Sequence, residues 1–476
     1  MNDRFPEAGN SLEHAAVATV AALVTRARAA QHIANGYDQA RTDELVAAAG
    51  WAILEPGRNR ALAELSVADT GIGDVEDKVR KNHRKTLGLL RDLMGAKTVG
   101  VIAEDSARGI VEIARPVGVV CAVTPSTNPA ATPANKIINA LKARNAVIVA
   151  PSPKGWSSAA RLVDFIHQQF VRIGAPADLV QLLPSPIDKA STLELMRQCD
   201  LVVATGSQAN VRAAYASGTP AFGVGAGNVA GIVDETADVA AAAAHVLRSK
   251  TFDNATSCSS ENSLVLVGAA QDPMLAALAA QGAVMLNAEH KARLQALMWP
   301  GGKLSSAVIG QSAVRIAQRA GLDLGAPRIL MVEESGVGEA HPFSGEKLCP
   351  VLAVYRVAIF EEAAQLVERL YHFQGAGHSV GLHTTRADRA LTLGLSLPVS
   401  RVIVNQAHCI ATGGSFDNGL PFSLSMGCGT WGRNHFSDNM TVRHYLNITR
   451  VSRPIAEQVP TEDQVFGALF NKFGRA

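Results

Sequence analysis

The chain has 476 residues, of which 47% are hydrophobic and 18% are charged, which describes a globular protein with room for two or three domains. Its net charge of +2 provides no electrostatic basis for binding nucleic acid or an anionic membrane surface. No uninterrupted apolar stretch reaches the roughly 18 residues of a membrane span, so none is expected.

The cysteines and the N-terminal residues indicate the compartment. Six cysteines are scattered along the chain without a C-x-x-C pair or a metal-ligand spacing, a pattern typical of a reducing environment. The N-terminus carries no apolar stretch of the signal-peptide type. We therefore expect a cytoplasmic protein that has neither a disulfide framework nor a bound metal.

The first part of the chain predicts helices followed by a hairpin. Amphipathic stretches at 11–34, 38–53 and 79–94 are typical of helices. Residues 98–116 then alternate apolar and polar side chains about a polar turn, which predicts two antiparallel strands. We interpret this hairpin as an oligomerisation arm, although an ordinary surface hairpin explains the pattern equally well.

From Val117 onward, short apolar strands alternate with helices. The segments VGVVCAV, AVIVA, VQLL and LVVAT are separated by helical patterns, which predicts a parallel, doubly wound sheet. A second alternation follows Cys258, through SLVLVG, RILMVEE, PVLAVYRV, SVGLHT and RVIVN, and predicts a second α/β domain. The predicted domains are a cofactor-binding domain (1–97 and 117–245), an oligomerisation arm (98–116 and 440–452), a catalytic domain (246–439) and a C-terminal tail helix (453–476).

The segment SKTFDNATSCSSEN, Ser249–Asn262, places one cysteine where a nucleophile would lie. It connects a predicted helix to a predicted strand, so Cys258 lies on a turn among small polar neighbours. An accessible thiolate on such a turn can attack a carbonyl carbon. A buried, inert cysteine is the more common alternative, and Cys258 alone does not decide between the two.

Three loops follow predicted strands, at the sheet edge where open parallel sheets bind ligands. In 123–136, VTPSTNPAATPANK, the Asn128 amide is a candidate donor to a developing oxyanion, with a structural Asx turn as the alternative. In 204–207, ATGS, the strand end opens a helix and predicts a pyrophosphate site. In 223–228, GVGAGN, the glycines do not form a G-x-G-x-x-G fingerprint, so they do not support a dinucleotide site alone.

These segments resemble the aldehyde dehydrogenase superfamily, and within it the CoA-acylating branch. The similarity is to the aldehyde dehydrogenase half of bifunctional aldehyde–alcohol dehydrogenases and to acylating sulfoacetaldehyde and succinate-semialdehyde dehydrogenases. It extends from about Asp69 to about Asn447 and rests on TPSTNPAAT, AAYASGTPAFGVGAGN, SKTFDNATSCSSE, GEKLCPVLA and SMGCGTWGRN. The resemblance implies an α/β fold with a doubly wound cofactor domain, a second α/β catalytic domain and a projecting oligomerisation hairpin. It also implies a homodimer or homotetramer.

The resemblance assigns roles to individual residues. Cys258 falls at the family nucleophile, Asn128 at the side-chain donor of the oxyanion hole, and His378 at a histidine that helps to deprotonate the CoA thiol. A satisfied core histidine remains the alternative for His378, and a solvated surface carboxylate the alternative for Glu346. The positions implied for the cofactor, NAD or NADP, are Thr124, Pro125, Ser126, Lys154, Gly206, Ser207, Gly223, Gly225 and Glu346.

Two departures from the hydrolytic branch of the superfamily favour CoA as acyl acceptor and NADP as an accepted cofactor. Gly223 falls where a hydrolytic enzyme carries the glutamate that activates water, and we expect glycine to leave room there for a pantetheine arm. In VAPSPKG, no carboxylate replaces the one that holds the adenosine ribose, and Lys154 is a candidate partner for a 2′-phosphate.

The sequence thus predicts a CoA-acylating aldehyde dehydrogenase that acts through a Cys258 thioester. Arg433 and His435, in TWGRNHFSDN, indicate a short aldehyde with an anionic tail, with sulfoacetaldehyde preferred to succinate semialdehyde and acetaldehyde. A hydrolytic aldehyde dehydrogenase and a non-catalytic binding protein are the competing hypotheses. The absence of a carboxylate at Gly223 argues against the first, and the presence of Cys258 and Asn128 against the second.

Overall fold

The computed structural model describes residues 7–475, so residues 1–6 and Ala476 of the predicted domain ranges lie outside the described residues. The α-helices are α1 (Glu7–Asn35), α2 (Gln39–Leu54), α3 (Pro56–Thr70), α4 (Val75–Leu93), α5 (Ala131–Lys142), α6 (Trp156–Ile173), α7 (Lys189–Gln198), α8 (Gln208–Ala216), α9 (Val239–Thr251), α10 (Gln271–Ala280), α11 (Ala288–Met298), α12 (Ala313–Arg319), α13 (Phe360–Phe373), α14 (Ala387–Ser396), α15 (His408–Ala411) and α16 (Glu462–Phe473). The strands are β1 (Gly100–Asp105), β2 (Ile110–Pro116), β3 (Val119–Thr124), β4 (Ala146–Pro151), β5 (Val180–Leu182), β6 (Leu201–Thr205), β7 (Ala221–Val224), β8 (Val229–Val233), β9 (Glu261–Val267), β10 (Ala283–Met285), β11 (Ile329–Glu333), β12 (Val351–Val357), β13 (Val380–His383), β14 (Val402–Val404) and β15 (Leu446–Ser452).

The first parallel sheet has the strand order β5-β4-β3-β6-β7. Its central strands are buried along their whole length, which explains their continuous apolar runs. The chain winds outward from β3 in both directions, so the switch point lies between β3 and β6. Loops that leave these two strands therefore form the crevice in which such sheets bind ligands.

The second parallel sheet has the order β10-β11-β12-β9-β8-β13-β14. Strand β8 lies between β9 and β13, and α9 packs its apolar face on the same sheet. The chain therefore changes sheets between Val224 and Val229, whereas the predicted cofactor-binding range continued to 245. Strand β8 was not among the predicted strands, and its pairing with β9 and β13 is tertiary and not specified by local sequence pattern.

A third, antiparallel sheet of order β1-β2-β15 joins the predicted hairpin to the late strand. The two predicted strands of 98–116 are confirmed as β1 and β2, and β15 lies within the range 440–452 that was predicted to belong to the same arm. The assignment of this sheet as an oligomerisation arm remains a prediction. The tail helix α16 follows, and its residues are almost all exposed. No helix in the described range combines the length and the apolar character that a membrane crossing requires.

Candidate active site

A cavity of ≈ 690 Å³ lies at the carboxyl ends of β3, β4 and β6, at the switch point of the first sheet. It brings together Cys258, Asn128 and Glu346, which are far apart in the sequence. The predicted cofactor residues that also line this cavity are Pro125, Ser126, Lys154, Gly206, Ser207 and Gly225. The positions predicted from separate loops thus share one crevice.

Cys258 lies on the turn between α9 and β9, and the residues before it have an unusual backbone. Asp253, Asn254 and Ala255 all have positive φ, at 50°, 51° and 57°. Three successive non-glycine residues in this region cost energy and persist only when neighbouring structure imposes the conformation. Buried Asp253 supplies part of that constraint, because its Oδ1 accepts a hydrogen bond from the Asp74 N–H at 2.9 Å.

The Cys258 thiol contacts a buried histidine. Its Sγ lies 3.3 Å from Nε2 of His378, and Nδ1 of the same ring lies 2.7 Å from the Ser379 hydroxyl. Burial, with smaller effects of Arg401 and His408, lowers the pKa of His378 to about 3, so the ring is neutral. When Nδ1–H donates to the Ser379 Oγ, Nε2 carries a free lone pair and can accept the thiol proton.

The same environment keeps the resting cysteine protonated. Burial, followed by the nearby Glu346 carboxyl, raises the pKa of the Cys258 thiol to about 12. The sequence predicted an accessible thiolate, whereas the residue is half-buried and its resting form is the thiol. The thiolate is therefore not formed in a separate step; the proton has to leave as the sulfur–carbon bond forms, and Nε2 of His378 is the acceptor within reach.

Asn128 follows β3 and presents its amide to the cavity. Its Oδ1 accepts a hydrogen bond from the Lys81 ammonium at 2.8 Å. Among the described residues, Nδ2 has no hydrogen-bond partner, which leaves it available as a donor. An amide with this orientation can donate to an oxyanion that forms at a carbon bonded to Cys258.

Glu346 is the single carboxylic acid among the described residues that line the cavity. Its Oε1 accepts the Gly227 N–H at 3.1 Å. Burial nevertheless raises the pKa of Glu346 to about 8, so the group is mainly protonated at neutral pH. The solvated surface carboxylate considered as the alternative is thus inconsistent with its position.

The other end of the cavity has features that fit a dinucleotide. Ser207 caps α8, accepting the Asn210 N–H at 3.3 Å, and the helix N-terminus opens into the cavity. A Cβ placed on Gly206 would have no neighbour closer than 3.9 Å, which indicates open space. Exposed Lys154 lies at the rim, whereas Thr124, also predicted to bind the cofactor, is buried at the end of β3 and does not line the cavity. Open space, a helix N-terminus and a cation together suit a phosphorylated cofactor.

The space predicted beside Gly223 is filled by other side chains. Gly223 lies in β7 and does not line the cavity; its N–H donates to the Tyr215 hydroxyl at 3.0 Å. A Cβ at this position would lie 2.6 Å from Val211 and 3.0 Å from Tyr215. The glycine is therefore required for helix–strand packing, and the prediction of room there for a pantetheine arm was wrong.

The structure does not bring Arg433 and His435 to the cysteine. Both are exposed and line a different cavity of ≈ 570 Å³, where His435 stacks on Phe222 at 4.7 Å. A tight turn, closed by the Gly432 N–H and the Cys428 carbonyl at 3.1 Å, redirects the chain before Arg433. The prediction that these side chains form the substrate wall near Cys258 is therefore not supported.

The sequence patterns missed a buried ionic cluster beside the site. Lys78 and Lys81, on α4, both contact the Asp253 carboxylate. The spacing of three residues places both lysines on one face of the helix, and this face is buried. That spacing was visible in the sequence, but lysines on a helix usually predict a solvated face.

The chain is similar to known aldehyde dehydrogenases in both sequence and structure. The model of the aldehyde dehydrogenase family matches residues 7–295. An acylating sulfoacetaldehyde dehydrogenase of Cupriavidus necator is 66% identical over 97% of this chain and 94% of its own length. The crystal structure of an acetylating aldehyde dehydrogenase from Geobacillus thermoglucosidasius superposes with a TM-score of 0.90, at 36% identity, over 94% of this chain and 99% of that one. An engineered glycolyl-CoA reductase with bound NADP⁺ superposes with a TM-score of 0.81, at 25% identity, over 91% and 96%.

Proposed function

We propose that this chain, which belongs to the aldehyde dehydrogenase family, converts sulfoacetaldehyde, CoA and NAD(P)⁺ into sulfoacetyl-CoA and NAD(P)H. One observation of the site carries the choice of CoA over water. Within the described part of the chain, the cavity around Cys258 is lined by a single carboxylic acid, Glu346, and burial raises its pKa to about 8. A largely protonated acid is a poor base for water, and the base that remains at the site, neutral His378, is better matched to a thiol than to water because a thiol is much the stronger acid.

The first half of the reaction forms a covalent adduct. The sulfur of Cys258 attacks the aldehyde carbon while its proton moves to Nε2 of His378 and the carbonyl π bond breaks. Negative charge develops on the former carbonyl oxygen. The Asn128 amide donates to this oxygen and stabilises the tetrahedral state. The proton then leaves His378 for solvent, since the pKa of the buried ring is near 3.

Residues along the cavity would hold the cofactor. Glu346, Lys154 and the N-terminus of α8 at Ser207 are the groups that would bind its ribose and phosphates. A bound NAD(P)⁺ would supply the hydride acceptor that converts the Cys258 adduct into a thioester. Lys154 is the one cation that this rim offers among the described cavity residues, which favours acceptance of NADP.

The second half of the reaction transfers the acyl group to CoA. Neutral His378 accepts the proton of the CoA thiol, and the thiolate attacks the thioester carbon. The carbon–sulfur bond to Cys258 breaks, and the proton returns from His378 to the cysteine sulfur. The net reaction releases one proton to solvent, that of the first half. This order is ping-pong with respect to the aldehyde and CoA.

The substrate assignment rests on the whole-chain similarity to an acylating sulfoacetaldehyde dehydrogenase. The buried cluster beside Asn128 supports it, since two lysines face one aspartate and leave excess positive charge near the site. Such charge favours an aldehyde with an anionic tail. Succinate semialdehyde shares this property, whereas acetaldehyde does not.

Three further features belong to the same proposal. The unit built on the first sheet binds the cofactor, and the unit built on the second carries the catalytic cysteine. The β1-β2-β15 sheet mediates formation of a homodimer or homotetramer. All six cysteines are free, which supports a cytoplasmic location.

A panel of aldehydes tests the proposal. We expect the purified chain to form sulfoacetyl-CoA, identified by mass spectrometry, with kcat/KM for sulfoacetaldehyde above those for succinate semialdehyde and acetaldehyde. The Cys258→Ala variant is the control and should form no product. Sustained reduction of NAD(P)⁺ without CoA, with release of sulfoacetate, would place the chain in the hydrolytic branch. A higher kcat/KM for acetaldehyde would refute the assigned substrate.

A further inference from the structure

Two lysines share one buried aspartate beside the proposed oxyanion hole. Lys78 and Lys81 are only 3% and 5% exposed, and Asp253 is fully buried. Both ammonium groups contact the same carboxylate oxygen, Oδ2 of Asp253. Buried charges are normally paired one to one, so a second ammonium group, which carries a desolvation cost, requires an explanation beyond neutralising Asp253.

The two lysines differ in what else they contact. The Lys81 ammonium donates to Oδ1 of Asn128 at 2.8 Å, and it lies 3.3 Å from the Thr256 hydroxyl. The Lys78 ammonium instead donates to the backbone carbonyl of Thr127 at 3.0 Å. Lys81 thus touches the side chain that is to donate to the oxyanion, while Lys78 touches only the neighbouring backbone.

An ammonium group on an amide oxygen has two physical consequences. It fixes the orientation of the amide, because the NH₂ group of Asn128 cannot face a cation that has only donors to offer. It also polarises the amide, so that the N–H groups become stronger donors at the opposite end. The free Nδ2 therefore faces the cavity that Cys258 lines.

We propose that Lys81 is a positioning residue of the oxyanion hole, which holds the Asn128 amide with Nδ2 toward the reacting carbonyl and strengthens it as a donor. Through Asp253, the same ammonium group also connects Asn128 to the strained turn that precedes Cys258. This role rests on the proposed function, since it requires that an oxyanion forms at a carbon bonded to Cys258.

The shared aspartate also supplies a matched control. Burial opposes the ionisation of Asp253, but the two ammonium groups hold its pKa below the usual value. Removal of either lysine leaves one ammonium group for one carboxylate, which is a balanced pair. Lys81→Met and Lys78→Met therefore make the same change in charge next to Asp253, but only Lys81→Met removes the contact with Asn128.

The experiment is a double-mutant cycle on the purified enzyme with sulfoacetaldehyde, CoA and NADP⁺. We expect Lys81→Met to lower kcat about 100-fold, the scale of one oxyanion-hole donor, with a smaller change in KM. Lys78→Met should lower kcat less than about 10-fold. In the Asn128→Ala background, Lys81→Met should lower kcat little further, because the amide that Lys81 contacts is already absent.

A second measurement separates positioning from a purely structural role. Alkylation of Cys258 by iodoacetamide forms no oxyanion, so its rate should be similar in wild type and in Lys81→Met. A parallel fall in alkylation rate and kcat would overturn the proposal, and so would equal losses in the two lysine variants or additive losses with Asn128→Ala. If Lys81→Met does not fold, Lys81→Gln replaces it in the same cycle. Failure of the proposed function would appear differently, as an inactive wild-type chain.

Discussion

At the scale of single residues, the site combines a protonated thiol, a neutral imidazole and a protonated carboxyl group. Burial is the main cause of all three states, at Cys258, His378 and Glu346. None of the three carries a charge at rest, so the cavity avoids the cost of a buried unpaired ion. Charge appears only when the thiol proton moves to His378, beside the positive field of the lysine cluster.

The unusual protonation of Glu346 leads to a prediction about stability. Its pKa rises from 4.5 to about 8 on folding, so the folded chain holds this proton more tightly than the unfolded chain. That contribution is present at low pH and is lost as the pH rises from roughly 4.5 to 8. The Glu346→Gln variant keeps a neutral acceptor for the Gly227 N–H at every pH. We therefore expect the thermal unfolding midpoint of the Glu346→Gln variant to rise relative to that of wild type as the pH increases through this window.

Differential scanning calorimetry of the two proteins, at several pH values in the same buffer series, provides the measurement. A difference in midpoint that stays constant across the series would mean that Glu346 is already ionised in the folded chain. If the wild-type midpoint instead rose relative to that of the variant as the pH increased, folding would lower the pKa of Glu346 and not raise it.

At the scale of elements, helix α4 contributes residues that support the candidate site. The same helix presents Lys78 and Lys81 to the oxyanion hole and, farther along, packs Gly88 against the ring of Phe422. Phe422 begins the segment that brings Leu424 and Met426 to the cavity wall. The helix therefore positions two sides of the pocket at once.

This packing predicts the effect of a single methyl group. A Cβ at Gly88 would overlap the Phe422 ring, which is itself buried and packed in the core. Overpacking of this kind costs about 1–3 kcal/mol. We expect Gly88→Ala to lower the thermal midpoint and to reduce kcat/KM. The matched control is Gly467→Ala on exposed α16, where a Cβ would meet no atom within 4 Å and should not destabilise. Equal midpoints for the two variants would contradict the packing.

Local patterns predicted a large part of these elements and of the site. The buried strands, the turn that carries Cys258 and the loops after β3 and β6 all follow from periodicity and turn chemistry within a few residues. Helix α3 was missed, because its apolar residues form no continuous stripe. The Lys81–Asn128 contact joins residues 47 positions apart, and the direction of Arg433 depends on a tight turn. Both features depend on tertiary packing, which local sequence patterns do not specify.

At the scale of the whole molecule, the antiparallel sheet has unpaired strand edges. Its outer strands, β1 and β15, each have one edge without a neighbour in the described chain. Unpaired strand edges readily pair with another chain. The sheet thus provides a physical basis for a homo-oligomer, which the hairpin pattern and the family resemblance both predicted.

Substitution on this sheet tests the oligomer. Val451, on β15, and Val171, on α6, are both exposed valines, at 40% and 80%. We expect the wild type to sediment as a dimer or tetramer and Val451→Lys to shift it toward the monomer, because a charge at the edge opposes pairing. Val171→Lys, the control, should leave the sedimentation coefficient unchanged. A monomeric wild type, or a Val451→Lys variant with an unchanged oligomeric state, would contradict the role of the β1-β2-β15 sheet in oligomerisation.

The proposed mechanism requires that the acyl group stays bound to Cys258 as a thioester until CoA arrives. Intact-protein mass spectrometry of a single turnover detects this thioester. Wild-type enzyme is mixed with sulfoacetaldehyde and NADP⁺ in the absence of CoA and quenched in acid. We expect one sulfoacetyl group per chain, mapped to Cys258 and removed when CoA is added before the quench. An unmodified chain accompanied by free sulfoacetate, or an adduct on another residue, would contradict it.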